Sequence, residues 1–463
     1  MTDGSSESGP TPVPAAEAVP VPQPVHTAAD WLENAMQHHR QGRIDEAASA
    51  YQHTLALAPD DAQALHMLGV LHGQFGSRQQ ALALIGRAIA LAPAAANPHN
   101  NLGNVLQEDG QLAEAEACYR RAVALDPAHH QASNNLGVLL ARLGQDTQAE
   151  QIYLQLLQAA PDFGDARENL ANLYLRQGRL DEALKQCAAG LITSPRNRGL
   201  RRLVARTYAE WGMVEQAAQV YHEWIRDEPH NPRPVHYLAA LTGQNVPARA
   251  SDAYVAQTFD AFADSFDGRL AQLQYHAPTL VGQALAARLG APAARWRIVD
   301  AGCGTGLCAP HLAPYASQLV GVDLSHSMLV RAGQRGGYSE LVQAELVAFL
   351  QSRPGSADVI VSADTLCYFG ALPEFADAAW RSLGGQGWLI FTVESHADDA
   401  GAPEYLLQPH GRYSHRASYL RRVLLAAGFE PPELSAATLR LELNQPVAGW
   451  LVCARAGAVP PGP

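Results

Sequence analysis

A chain of 463 residues has room for two to four domains of ordinary size. Apolar residues make up 47% of it and charged residues 17%, a balance that excludes disorder throughout. The net charge of −12 argues against a general binder of nucleic acid or anionic membranes, so neither is expected as a partner. Six scattered cysteines form no C-x-x-C pair, which removes the basis for a disulfide framework or a thiolate zinc site and points to a reducing, cytoplasmic setting. The histidines show no ligand spacing, and no metal is expected. The chain shows neither an apolar run of membrane-spanning length nor a signal-peptide pattern at its start.

In chain order, residues 1–27 are Pro, Ala, Ser and Glu with few large apolar side chains, and read as a flexible tail. A repeat of period 34 follows. Pro59, Pro93, Pro127, Pro161, Pro195 and Pro229 are each 34 apart. Gly42, Gly76, Gly110, Gly144, Gly178 and Gly212 keep the same spacing, as do Ala47, Ala81, Ala115, Ala149, Ala183 and Ala217. Such columns predict a helix–turn–helix unit. The glycine ends the first helix in a left-handed conformation, the alanine admits a close neighbour, and the proline stops the second helix. Tyr51, Ile85, Tyr119, Tyr153 and Tyr221, with Cys187 as the smaller member, form a packing column. The stretch NNLGNVLQEDGQLAEAEACYRRAVALDP resembles the tetratricopeptide repeat family, over about residues 28–231. The resemblance implies six units in a right-handed α-solenoid with a concave groove, closed by a capping helix and linker over 232–254. Asn101, Asn135 and Asn169 share one repeat position, and Asn104 and Asn172 another on the same helical face. An amide offers a donor and an acceptor, as a peptide bond does, so this ladder is a candidate for holding a protein or peptide partner. The alternative is hydrogen bonding within the solenoid.

From 255 to 456 short β-rich runs alternate with helical ones, the pattern of a mostly parallel α/β sheet. Strands are predicted at 297–302, 318–324, 340–344, 357–363, 387–394, 435–443 and 449–455, followed by a flexible tail at 457–463. RIVDAGCGTGLCAPHLAPY is an apolar strand, a glycine turn and a helix start. Gly302, Gly304 and Gly306 supply unusual φ angles and room for a ligand against bare backbone. Asp323 ends the next strand 21 residues beyond Gly302, where an acid meets a ribose diol. A dinucleotide fingerprint would carry its third glycine one residue later, which disfavours an NAD-dependent dehydrogenase.

VDAGCGTG resembles motif I of the class I S-adenosylmethionine-dependent methyltransferases, over about 255–456. The resemblance implies a Rossmann-like, seven-stranded, mostly parallel sheet and S-adenosyl-L-methionine as methyl donor. It implies that Asp300, Gly302, Gly304 and Gly306 hold the amino-acid end of the cofactor and Asp323 the ribose. Leu324 and Met328 would flank the adenine, and Glu345 would meet its amine. Asp364, after the fourth strand, would face the transferring methyl. A narrower resemblance rests on FDAFADSFDGRLAQLQYHAPTLV, the glycine loop and LQPHGRYSHRASYL. These are similar to predicted bacterial methyltransferases with N-terminal tetratricopeptide repeats, and place Tyr275 over the methionine part of the cofactor.

Methyl transfer from a sulfonium needs alignment and exclusion of water more than a catalytic triad. Tyr368, Glu394, His396, His410, Arg412, Tyr413 and His415 are polar candidates for substrate contact. Arg412 and Tyr413 are expected in a lid loop and, with Asp364, form the expected catalytic set. The plainer alternatives are a helix N-cap for Asp364, a core aromatic for Tyr275, surface histidines for His410 and His415, and packing for Cys303 and Cys308. The leading expectation is an S-adenosylmethionine-dependent methyltransferase whose solenoid recruits a protein or peptide. The rivals are a small-molecule methyltransferase with the solenoid used for assembly, and a non-catalytic scaffold.

Overall fold

The computed structural model describes residues 27–74, 77–263, 266–399, 401–442 and 445–458. Of the expected tails, 1–27 and 457–463, residues 1–26 and 459–463 lie outside the described residues, as does Gly76 of the glycine column. Two compact units divide the chain, one ending at Leu139 and one starting at Leu140.

The first unit is built of helix pairs, Ala28–Arg40 with Ile44–Leu57, Ala62–Gln74 with Arg78–Leu91, and Ala96–Glu108 with Leu112–Leu125. Thr27 and Asp30 cap the first helix reciprocally. Gly42 and Gly110 sit at φ 71° and 81° where their pairs turn, which a side chain would resist. Ala47, Ala81 and Ala115 have no exposed surface. A Cβ on Gly103 would come 2.6 Å from the Tyr119 ring, so the small residue of one helix receives the large one of the next.

The second unit continues the pattern, with Gly164–Arg176 against Leu180–Thr193 and Arg198–Glu210 against Val214–Asp227. A further helix, Pro232–Thr242, starts at the Asn231 cap and stops at Gly243 in the left-handed region. It packs on the α/β part of the same unit. His236 bonds through Nε2 to Gly411 O at 2.8 Å, its ring lies 4.1 Å from that of Tyr254, and Arg233 donates to Gln257 O. The stretch expected as a capping helix and linker, 232–254, lies within the second unit, where these hydrogen bonds and ring contacts tie it to the α/β part.

The sheet has strands β1 (Trp296–Ala301), β2 (Ala316–Asp323), β3 (Glu340–Gln343), β4 (Val359–Ser362), β5 (Trp388–Ser395), β6 (Tyr405–Leu407), β7 (Tyr413–His415), β8 (Glu433–Glu442) and β9 (Gln445–Arg455). Their order is β3-β2-β1-β4-β5-β7-β6, with β9 pairing β5 and β8. Neighbours from β3 to β5 are parallel, and the β8–β9 ribbon runs antiparallel onto β5. Alternate residues feed two cores: Val299, Ile360 and Phe391 face one side, Ile298, Val361 and Ile390 the other. Burial on both faces is why these strands read as continuous apolar runs. The expected count of seven is exceeded by the hairpin β6–β7, which pairs with Glu394 and Ser395 at the end of β5. Its three-residue strands are too short to show a period. Among the described residues no helix is long and apolar enough to cross a membrane.

Candidate active site

The strand order reverses between β1 and β4, so their C-terminal ends open a crevice, the place where open α/β sheets bind ligands. A cavity of about 390 Å³ lies there, within the second unit. Gly302 and Gly304, Asp323 and Leu324, and Asp364 and Thr365 line it from the strand ends. Tyr254, Phe259 and Phe266 line it from the helices Asp252–Asp260 and Phe266–Gln272.

The glycine loop is held by backbone bonds. Gly302 N and Cys303 N both donate to Val322 O, and the three glycines sit at φ 79°, 53° and 83°. A Cβ on Gly302 would fall 2.1 Å from Thr365 Oγ1, so this glycine is also the seam between the β1 and β4 turns. Asp323 Oδ2 accepts from Gly304 N and Oδ1 from Ser325 N, each at 2.9 Å. Burial pushes the Asp323 carboxyl up, opposed by these N–H groups.

Asp300 does not line the cavity. It is buried beneath the loop, where Tyr338 Oη donates to its Oδ2 at 2.6 Å, and Oδ1 has no partner among the described residues. Burial first, and Asp323 second, push its carboxyl up to about 7, against the Tyr338 bond. The other ionisable groups that it acts on are the buried thiols Cys303 and Cys308, both pushed up. The sign follows: a carboxyl raised from 3.8 stabilises the fold fully below its unfolded value, and that contribution is lost as pH rises through about 7. Without added ligand, the protein is expected to lose up to about 4 kcal/mol relative to Asp300→Asn between acid and mildly alkaline pH. Thermal melts of both proteins across that range check it, and parallel curves would refute it.

Glu345 lines the cavity but also caps the helix Leu346–Ser352, its oxygens accepting from Val347 N and Ala348 N. Met328 is buried in the helix His326–Arg335 and does not line the cavity, and nor does Gly306. Tyr275 lines it, with its hydroxyl 3.5 Å from Ala363 O.

Asp364 takes the left-handed region at φ 57°, a strained conformation for a non-glycine residue. Its side chain caps no helix. Oδ2 pairs with Arg440 Nη1 at 2.6 Å, and the buried Oδ1 has no partner among the described residues. Burial pushes this carboxyl up, with Arg440 opposing. Arg440, 3% exposed, also pairs with Glu394 and with Glu442 at 2.7 Å. Arg412 lines the cavity and pairs with Glu394 at 2.5 Å and with Glu442. Burial pushes the Glu394 carboxyl up, but Arg412 and Arg440 outweigh it and hold the group low. Two guanidinium groups and three carboxylates thus share one partly dry cluster at the inner end of the cavity.

The expected lid loop is instead a paired hairpin. Tyr413 opens β7, is fully buried, donates its hydroxyl to Pro247 O at 2.8 Å and lies outside the cavity. His415 is a core residue held neutral by burial at about 4, bonded to Gly370 O. His396 bridges Ser414 Oγ and Pro403 O. His410 and Tyr368 do line the cavity, and His410 faces Glu394 at 3.4 Å.

Sequence reasoning missed Arg440, Glu442, Asp260 and Asp267. Asp260 accepts from Ser325 Oγ at 2.5 Å and Asp267 from Thr305 Oγ1 at 2.5 Å, while Asp267 also pairs with Arg335. These two acids fasten the wall helices to the loops after β2 and β1. Their signal is the dipeptide Phe-Asp occurring twice, at 259–260 and 266–267, one aromatic facing the cavity and one acid reaching a loop each time.

In the repeats of the first unit, Asn101 Nδ2 lies 2.8 Å from His66 Nε2, and Asn135 donates to Asn100 and Asn104. Burial holds His66 neutral at about 4, so it accepts. In the second unit Asn172 donates to Glu168 O. These bonds are internal to the repeats.

Residues 299–391 match the methyltransferase domain family, and residues 32–97, 100–163 and 147–206 match tetratricopeptide repeat families. The chain carries a methyltransferase domain behind tetratricopeptide repeats. The chain is 28% identical over 166 residues to a ubiquinone biosynthesis O-methyltransferase of Thiobacillus denitrificans, covering 32% of this chain and 70% of that protein. It is 26% identical to a probable S-adenosylmethionine-dependent methyltransferase of Mycobacterium tuberculosis, covering 28% of this chain and 48% of the relative. Among solved structures, PilF of Pseudomonas aeruginosa is similar at 18% identity and a TM-score of 0.40, covering 46% of this chain and 96% of its own. The matched stretch contains the glycine loop, Asp323 and Asp364, whereas Glu394, Arg412, Arg440 and Glu442 lie beyond it.

Proposed function

We propose that the protein is an S-adenosylmethionine-dependent methyltransferase acting on an acceptor delivered to the cavity beside its repeats. The observation that carries this reading is the bond between Gly304 N and Asp323 Oδ2, which fixes a bare-backbone loop and a diol-binding acid side by side at the sheet's switch point. The residues fit the cofactor. Each Asp323 oxygen has a lone pair left for a ribose hydroxyl, Asp300 has an unpartnered buried oxygen beneath the amino-acid end, and Tyr275 offers a ring face to a sulfonium. Leu324 and Leu346 give an apolar slot for the adenine, and Glu345 stands at its edge.

When bound, S-adenosylmethionine supplies an electrophilic methyl group. The chain's own part is positioning. Asp364 Oδ1 accepts the N–H or O–H of the acceptor nucleophile and takes its proton as the group is methylated. Arg440 holds Asp364 in place. Phe259, Phe266 and Tyr368 exclude water from the transfer path. Supporting a protein or peptide acceptor are the repeats themselves. Supporting a small acceptor are the aromatic walls and the similarity to a ubiquinone biosynthesis enzyme.

Calorimetric titration of the full chain tests the cofactor reading. Saturable heat with S-adenosylmethionine and none with NAD is the expected result. Binding of NAD, or of neither, would overturn it.

A further inference from the structure

Two residues that line the cavity come from the repeats and the helix that directly follows them. Arg202 lies on the first helix of the sixth repeat, and Tyr237 on the helix that follows the repeats. Both belong to the second unit, with the site they border.

Their repeat positions are informative. Arg202 stands where Asn100, Asn134 and Glu168 stand in earlier units, each 34 residues apart. Tyr237 stands where Asn101, Asn135 and Asn169 stand, 68 residues beyond Asn169. Tyr237 thus keeps the repeat register of the asparagine column, which buried Leu203 interrupts in the sixth repeat, and Arg202 keeps the register of the position before it. Tyr237 is fixed there by rings on both sides. It stacks on Tyr221 of the sixth repeat at 6.1 Å and meets Tyr254 of the cavity wall edge-on at 6.1 Å. Gly411 closes the junction, since a Cβ there would come 2.8 Å from Tyr254 Oη and 3.3 Å from the Tyr237 ring.

The charges differ between the ends of the cavity. At the inner end, three carboxylates outnumber the two guanidinium groups they pair with. At the repeat end Arg202 is exposed and makes no ion pair within 4 Å among the described residues, and Tyr237, Tyr254 and Phe259 line the same cavity. The Glu168 carboxyl acts on Arg202 electrostatically without an ion pair within 4 Å, which leaves the guanidinium fork open, and an open fork beside aromatic side chains suits a ligand with a flat apolar body and a carboxylate.

We infer that Arg202 and Tyr237 are acceptor-binding residues, and that the acceptor presents a carboxylate to Arg202 while its nucleophile points toward Asp364. The repeats thus complete the acceptor site rather than serve only as a remote tether. This rests on the methyl-transfer reading. The same chemistry is offered by a small aromatic acid or by an acidic residue next to an aromatic one in a peptide.

The test uses the full chain with S-adenosylhomocysteine at saturation and ligand-observed NMR titration. The probes are 4-hydroxybenzoate, its neutral amide, and the acetylated dipeptide Tyr-Glu beside Tyr-Gln. The acid of either pair is expected to bind roughly fivefold or more tightly than its neutral partner. Arg202→Glu is expected to abolish or reverse that preference, and Tyr237→Ala to weaken both members of the pair. A preference confined to the benzoate pair assigns a small acceptor, and one confined to the dipeptides a peptide. No preference for the acid in either pair, or one unchanged in Arg202→Glu, overturns the proposal. Calorimetry with S-adenosylmethionine on the same variants separates the two readings: unchanged cofactor affinity keeps Arg202 at the acceptor end, whereas its loss there would place Arg202 with the cofactor and also overturn the proposal.

Discussion

Asp323→Ala is expected to weaken S-adenosylmethionine binding by roughly 100-fold or more, a loss of about 2.7 kcal/mol. Two effects add. The first is direct, since a ribose diol loses the carboxylate that takes both of its donors. The second acts through the loop: Gly304 N and Ser325 N each lose an acceptor at 2.9 Å, and Gly304 at φ 53° has little else to hold it. Asp323→Asn separates the two. Its amide keeps one acceptor oxygen but turns an N–H toward a backbone donor, so it is expected to disturb the loop and retain part of the diol contact. Glu345→Gln is a useful contrast. Its amide oxygen keeps one of the two capping bonds and the charge facing Arg249 at 4.0 Å is lost, so a small loss of helix stability is expected beside any change at the adenine edge. Calorimetric dissociation constants, with circular dichroism to show that the fold persists, check the series. Asp323→Ala binding the cofactor as tightly as the unaltered chain would remove Asp323 from the site.

The parts of this molecule legible in the sequence are those in which one physical cause acts on one residue type. A left-handed turn asks for glycine, and Gly42, Gly110, Gly144, Gly178 and Gly212 stand in those turns at φ between 71° and 81°. A strand buried on both faces asks for a β-branched or aromatic run, and VIVS and WLIFTVES form the strands their composition predicts. The illegible parts depend on partners distant in sequence. Tyr413 looks like a lid residue because Gly411 and Arg412 precede it, yet three-residue pairing with Tyr405–Leu407 makes it core. Arg440 sits in a strand where a cation looks like a solvent-facing residue, and only the sheet brings it to Asp364 and Glu394. The Pro- and Gly-rich junction 232–254 looks like a linker because its composition says nothing of His236 meeting Gly411, 175 residues away.

Arg440→Met is expected to cost about 3–5 kcal/mol of local stability at neutral pH, the usual result of removing one partner from a buried charge cluster. Methionine fills most of the volume, so the loss is electrostatic: Asp364 and Glu394 lose their shared cation, and Glu442 its contact at 2.7 Å. Arg412 remains and still serves Glu394, which is why the cluster is weakened rather than emptied. The pH dependence identifies the cause. In the unaltered chain Glu394 is held below its ordinary value, so its contribution is present at neutral pH and is lost as pH falls. In the variant Asp364, already raised by burial, loses the cation that opposes that shift and rises further, so the fold loses more of its stability as pH rises, while Glu394 keeps Arg412. The two stability curves therefore converge on acidification. Arg440→Lys keeps the charge without the fork that reaches three carboxylates, and is expected to fall between them. Hydrogen exchange of peptides covering β5 and β9 reports this local stability. A deficit equal at acid and neutral pH would assign the loss to packing and leave Arg440 no part in holding Asp364. A deficit that shrinks with acid, joined to a methyl-transfer rate that falls more than cofactor affinity does, would assign Arg440 the positioning of the group that faces the acceptor.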